Sequence, residues 1–157
     1  MIKFLEKNKY LISIIFLTII AIWITYAHNI HPIIDCGREV YYPQEILNGK
    51  VLYKDLFNIY GPFAYLFNAF LYKIFGINLN VLCISGAICA LGIVIGLFLM
   101  IKNFLSEEFA FSIGLLIIAI GILPCHTFNY VFPYSFGMTY GIFAFTFSLL
   151  FLIYYIN

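Results

Sequence analysis

Charge is what this 157-residue sequence has least of: Asp, Glu, Lys and Arg make up 10% of it, where a water-soluble domain carries about 25%. A soluble fold must cover its surface with groups that hold water, so lipid is expected to be the main solvent. A hydrophobic share of 64% and a mean hydropathy of +1.03 point the same way. Neither sign of charge dominates. Eight basic and seven acidic residues leave a net charge of +1, which excludes the basic surface that nucleic acid or an anionic membrane would need. Metal-ligand spacing is missing too. The three histidines are scattered, and the four cysteines, at 36, 83, 89 and 125, form no CxxC pair, so neither a zinc nor a dithiol redox site is expected. Cys83 and Cys89 fall inside an apolar run and read as small buried hydrophobes. Cys36 and Cys125 would fall on one side of the membrane, where a disulfide between them is permitted.

What the sequence does have is long uncharged stretches. A charge at the bilayer centre costs about 2.5–3.5 kcal/mol on insertion scales, so the gaps between charges map the spans. Tyr10 to Ala27 gives eighteen uncharged residues, about 27 Å of helix against a hydrocarbon core of about 30 Å. A secretory signal is the rival reading, with Lys3, Lys7 and Lys9 as its basic region. The apolar run is too long for one and Thr25 and Tyr26 spoil the cleavage pattern, which favours an uncleaved anchor. A second span runs from Leu79 to Ile101. Its Gly92 and Gly96 form a GxxxG pair, either a face for close approach by another helix or a chance pair in a glycine-rich segment. After Glu108 no charged residue follows, and the segment Pro124 to Pro133 divides that stretch into spans at about 109–124 and 134–156. Pro62 to Phe75 carries start and stop signals in Pro62 and Gly76 but is too short to cross, and reads as a juxtamembrane or re-entrant helix.

The fold class expected is therefore all-α integral membrane: one domain over 1–157, with about four transmembrane helices (10–27, 79–101, 109–124, 134–156) and juxtamembrane helices in a first outer loop at about 28–78. The first span would run outward. The positive-inside rule does not decide this, because Lys3, Lys7, Lys9 and Lys102 inside are matched by Arg38, Lys50, Lys54 and Lys73 outside.

Eight of the fifteen charged residues stand in that outer loop, and clustered ionisable groups beside a membrane point to substrate or ion handling. In a helix, Asp35, Arg38 and Glu39 would project from one side. Two acids so placed can hold a divalent cation or divide acid and base roles, while an Arg fork suits a phosphate. Against this, Asp35 can be a helix cap, Arg38 can pair with either acid, and Tyr41, Tyr42, Tyr53, Phe57, Tyr60 and Phe63 can be an interfacial belt. The loop is too rich in Tyr, Phe, Leu and Ile to be disordered, and should lie apolar face down on the membrane.

The order Asp35, Gly37, Arg38, Glu39, then Tyr41, Tyr42, Pro43, then Ile46, Leu47, Gly49, Lys50, Leu52, Tyr53, Asp55, and finally Tyr60, Gly61, Pro62 and Asn68, resembles the first outer loop of GT-C superfamily membrane glycosyltransferases. The branch it resembles includes protein O-mannosyltransferases, lipid A aminoarabinose transferases and the RgtA/B/C/D-like group. The resemblance implies transfer of a sugar from a polyprenyl-phosphate donor to a lipid, glycan or protein acceptor at the outer face of a bacterial inner membrane, with the N-terminus cytoplasmic. It implies Asp35 as the catalytic base or metal partner with Glu39 as its helper, a divalent cation being the one cofactor such a pair would take. Arg38, Tyr41, Tyr42, Lys54, Asp55 and Tyr60 would bind substrate, and His126 in the other outward turn could reach the same pocket. Such enzymes are much longer, so the chain resembles their N-terminal part, completed by further membrane helices, and its own activity is open. The alternative is a non-catalytic small membrane subunit or remnant. A four-span carrier is disfavoured because the second, third and fourth spans hold no ionisable residue.

Overall fold

The computed structural model describes residues 6, 8–26, 36–124 and 129–156. Asp35, Cys125 and His126 lie outside the described residues, and with them the expected base, the permitted disulfide and the expected histidine contact. Among the described residues the chain is all-helical: α1 Lys9–Thr25, α2 Gly37–Leu47, α3 Phe63–Phe75, α4 Leu79–Ile101, α5 Glu107–Gly121 and α6 Phe136–Ile156. An isolated bridge between Leu52 and Leu56 is the one extended pairing among them.

Two helices are long and apolar enough to cross a membrane, α4 with 23 residues and α6 with 21. At 1.5 Å per residue these reach about 34 and 31 Å. The ends of α4 match the sequence reading because strong local signals set them. Asn78 is extended and its side chain accepts the Asn80 N–H at 2.9 Å, capping the first turn. The expected third span, 109–124, is displaced to Glu107–Gly121. Ser106 Oγ accepts the Phe109 N–H at 3.3 Å, and Glu107 and Glu108 then sit in the first turn, where the helix dipole favours acids. At its other end the returning chain closes on the helix, the Tyr130 N–H donating to the Gly121 carbonyl at 2.8 Å.

The central helix is α4, which touches α1, α3, α5 and α6. Helix directions follow from the contacts. Tyr10 at the start of α1 donates to Glu108 at the start of α5, and Tyr26 beyond the end of α1 donates to Asn80 at the start of α4. Along α6, Tyr140 meets Ser85 while Thr146 and Phe147 meet Gly96, so α4 and α6 run parallel. The start of α4, the start of α6 and the end of α5 therefore share one end of the bundle with α2 and α3. The Gly92 and Gly96 face does receive a neighbour: a side chain at Gly96 would stand 2.8 Å from Thr146 Cγ2, and one at Gly92 would strike the Phe143 ring.

In α3 the polarity is reversed from what water imposes. Its buried face carries Tyr65, Asn68 and Tyr72 with Ala64 and Ala69, and its exposed face carries Phe63, Leu66, Phe70 and Ile74, with Lys73 exposed in the last turn. An amphipathic helix in water turns the apolar stripe inward.

Candidate functional site

The site grows from the first turn of α2, which Gly37 opens behind Cys36. Arg38 and Glu39 follow at once. Asp35 lies outside the described residues, so its expected place beside them is outside what is described. Glu39 is fully buried and joins three elements. Its Oε1 accepts the Tyr65 hydroxyl of α3 at 2.9 Å and lies 3.4 Å from the Arg38 guanidinium; its Oε2 accepts the backbone N–H of Phe136 at 3.0 Å. Phe136 is the first residue of α6, so its N–H has no partner inside the helix, and a carboxylate there satisfies it and meets the positive end of the dipole. Burial pushes the Glu39 carboxyl above the usual carboxylate range, outweighing the opposing bonds from Phe136, Tyr65 and Arg38. The Tyr65 phenol is also pushed up, by burial first and then by Glu39.

Arg38 is partly buried between two rings, 4.6 Å from the centre of Tyr60 and 5.5 Å from that of Tyr134. Cation–π contact holds the guanidinium between the two rings, with one terminal nitrogen turned to Glu39. Its buried Nε has no partner. Tyr60 and Tyr134, together with Tyr65, edge a cleft of about 650 Å³ between α3 and α6. Away from them the walls are Phe63, Ala64, Met138, Gly141 and Ala144. The cleft follows α6 from Gly137 to Ala144, so it is phenolic at one end, where Arg38 stacks on the Tyr60 and Tyr134 rings, and apolar along its length.

Of the residues expected from sequence, the fold brings Arg38, Glu39, Tyr42 and Tyr60 together. Tyr42 packs on the Tyr65 ring at 5.5 Å and donates to the Phe57 carbonyl at 2.5 Å. Tyr41 is exposed beside it. Lys54 and Asp55 belong to a separate turn, exposed, in which the Asp55 carboxylate accepts the Val51 N–H at 2.8 Å and Tyr53 takes a left-handed φ of 69°. Asp55 braces that turn. Lys50 is occupied by Glu45. Sequence reasoning missed Tyr65, Tyr134 and Tyr140. The signal for α3 was present: Tyr65, Asn68 and Tyr72 fall three and four residues apart within an apolar segment, one polar stripe on a helix.

A divalent cation does not fit what is described. No three His, Cys, Asp or Glu side chains lie together among the described residues, and both Glu39 oxygens already accept hydrogen bonds beside a guanidinium. No family model, curated protein or solved structure matches the chain.

Proposed function

We propose that this chain is the N-terminal membrane part of a polyprenyl-phosphate-dependent glycosyltransferase, with α1, α4, α5 and α6 crossing the bilayer and the α2–α3 end facing outward. The observation that carries the reading is the α3/α6 cleft. The Arg38 guanidinium, stacked on the Tyr60 and Tyr134 rings that edge the mouth, and apolar walls running along a helix of membrane length suit a ligand with an anionic head and a long hydrocarbon chain. The lipid environment is supported by the 10% charged composition, the lengths of α4 and α6, and the outward apolar face of α3. In this reading Arg38 holds the phosphate of the donor and Asp35 takes the acceptor proton. Glu39 positions Arg38 and the start of α6 and is not itself the base, since both its oxygens are engaged.

Binding of a polyprenyl phosphate to the nanodisc-reconstituted chain tests this. Arg38→Ala is expected to weaken binding about ten- to a hundredfold, the worth of a charged hydrogen bond, while Lys54→Ala in the separate turn leaves it unchanged. Equal binding by both variants would end the donor-site reading. Asp35→Asn is expected to keep donor binding and abolish sugar transfer in membranes that supply the rest of the enzyme.

A second reading is favoured by one observation, the complete burial of Glu39 as a cap for α6. It makes the loop a packing device of a non-catalytic membrane subunit. It predicts that neither Asp35→Asn nor Arg38→Ala alters any cell-envelope glycan.

A further inference from the structure

A second cleft, of about 450 Å³, opens between α3, α4 and α6. It is separated from the first by the edge contact of Phe67, which lines the second cleft, with Tyr140, which lines the first, their ring centres 5.2 Å apart. No charged residue lines it. Phe67, Leu71, Val81, Ile84, Ile88 and Phe143 make its walls, and Ser85 supplies its one hydroxyl.

Ser85 ends a hydrogen-bonded chain whose direction can be worked out. The Tyr140 hydroxyl donates to Asn68 Oδ1 at 2.6 Å, and Ser85 Oγ lies 2.8 Å from the same Tyr140 oxygen. A phenol has one proton, and Tyr140 has committed it to Asn68, so the proton between Ser85 and Tyr140 must come from Ser85. Ser85 then faces the cleft with lone pairs only. It can receive a donor and has no proton left to offer an anion. Behind it the fully buried Asn68 Nδ2 and the Tyr72 hydroxyl one turn further along α3 have no partners, so this polar group is under-satisfied as it stands.

Depth adds a second constraint. With α4 crossing the bilayer as proposed above, Ser85 lies six residues in from Leu79, about 9 Å along the axis. A charged head so far below the headgroups would be costly, whereas a hydroxyl is tolerated when it is hydrogen-bonded.

We propose that the α3/α4/α6 cleft binds an uncharged long-chain alcohol, its chain against Phe67, Leu71 and Ile88 and its hydroxyl donating to Ser85 Oγ. This site is independent of the anionic donor cleft and of the transferase reading. The first cleft has the Arg38 guanidinium stacked on the rings at its mouth; the second has no charged residue and offers Ser85 alone as a hydroxyl.

The test is photolabelling of the full chain in nanodiscs with a diazirine-bearing hexadecanol, crosslinks being mapped by mass spectrometry. Expected is saturable labelling within 67–89, displaced by hexadecanol and not by hexadecyl phosphate or hexadecanoate. Ser85→Ala should lower the apparent affinity about five- to tenfold, the effect of one lost hydrogen bond. Ile88 is 61% exposed, so Ile88→Trp should fold, fill the cleft and remove the labelling, which decides the matter if Ser85→Ala misfolds. Labelling that rises linearly with probe, displacement by hexadecyl phosphate as effective as by hexadecanol, or labelling untouched by Ile88→Trp would overturn the proposal.

Discussion

Glu39→Ala is expected to lower the unfolding free energy by about 3–5 kcal/mol, the cost of leaving buried hydrogen-bonding and charged groups without their partner, and to drop the melting temperature of the detergent-solubilised protein accordingly. Three donors lose their acceptor at once: the Tyr65 hydroxyl, the Phe136 N–H and the Arg38 guanidinium. Because these belong to α3, α6 and α2, the change loosens the cleft itself. A residue serving only as a chemical base would lose activity on truncation with little change in melting, so a melting temperature equal to wild type would refute the capping role. The pH dependence gives a second readout. The folded-state pKa of Glu39 is raised, burial being the main cause, so the native state binds its proton more tightly than the unfolded chain does. The stability this contributes is complete below the ordinary carboxylate pKa of about 4.5 and is lost as pH rises through the raised value. Glu39→Gln cannot titrate and should flatten that part of the melting profile. A Gln variant with the wild-type slope would show that another group sets it.

Gly86→Ala should cost about 3 kcal/mol, at the upper end for overpacking, and sharply reduce the yield of folded protein. A Cβ at Gly86 would collide with the Val131 carbonyl oxygen and stand 2.8 Å from its carbon. These are backbone atoms, and they cannot swing aside. Val131 is held by its own N–H, which donates to Asn129 Oδ1 at 2.6 Å, while Asn129 Nδ2 bonds the Ile122 carbonyl and, at 3.1 Å, that of Pro124. Any shift would have to carry the connection between α5 and α6 with it. Gly141→Ala, in the same bundle, is the comparison: a Cβ there meets nothing within 4 Å, and Ala gains about 0.5–1 kcal/mol over Gly in a helix. The two variants should therefore shift melting in opposite directions. Equal shifts would mean that the 129–131 segment does not pack on α4.

Much of this was legible from local pattern. The limits of α4 at Leu79 and Ile101 are visible because Asn78 is a capping residue and Lys102 ends the uncharged run. Gly76, with φ of 85°, stops α3 where a side chain would be strained. The start of α5, two residues before the expected 109, has a local reason as well: a capping serine followed by acids is how a helix begins.

The residues alone determined the segments. The charges are few and set far apart, and the gaps between them delimit apolar helices, two of which are long and apolar enough to cross a membrane. They also gathered Arg38, Glu39, Tyr42 and Tyr60 into one loop as candidates. Only the tertiary structure decided what each touches. Glu39 meets Phe136, 97 residues away, and Asn68 meets Tyr140, 72 residues away. Helical periodicity says which side chains share a face; it carries no information about which distant backbone or hydroxyl that face will meet. For that reason only the fold shows Glu39 capping α6 and Tyr140 standing between two clefts.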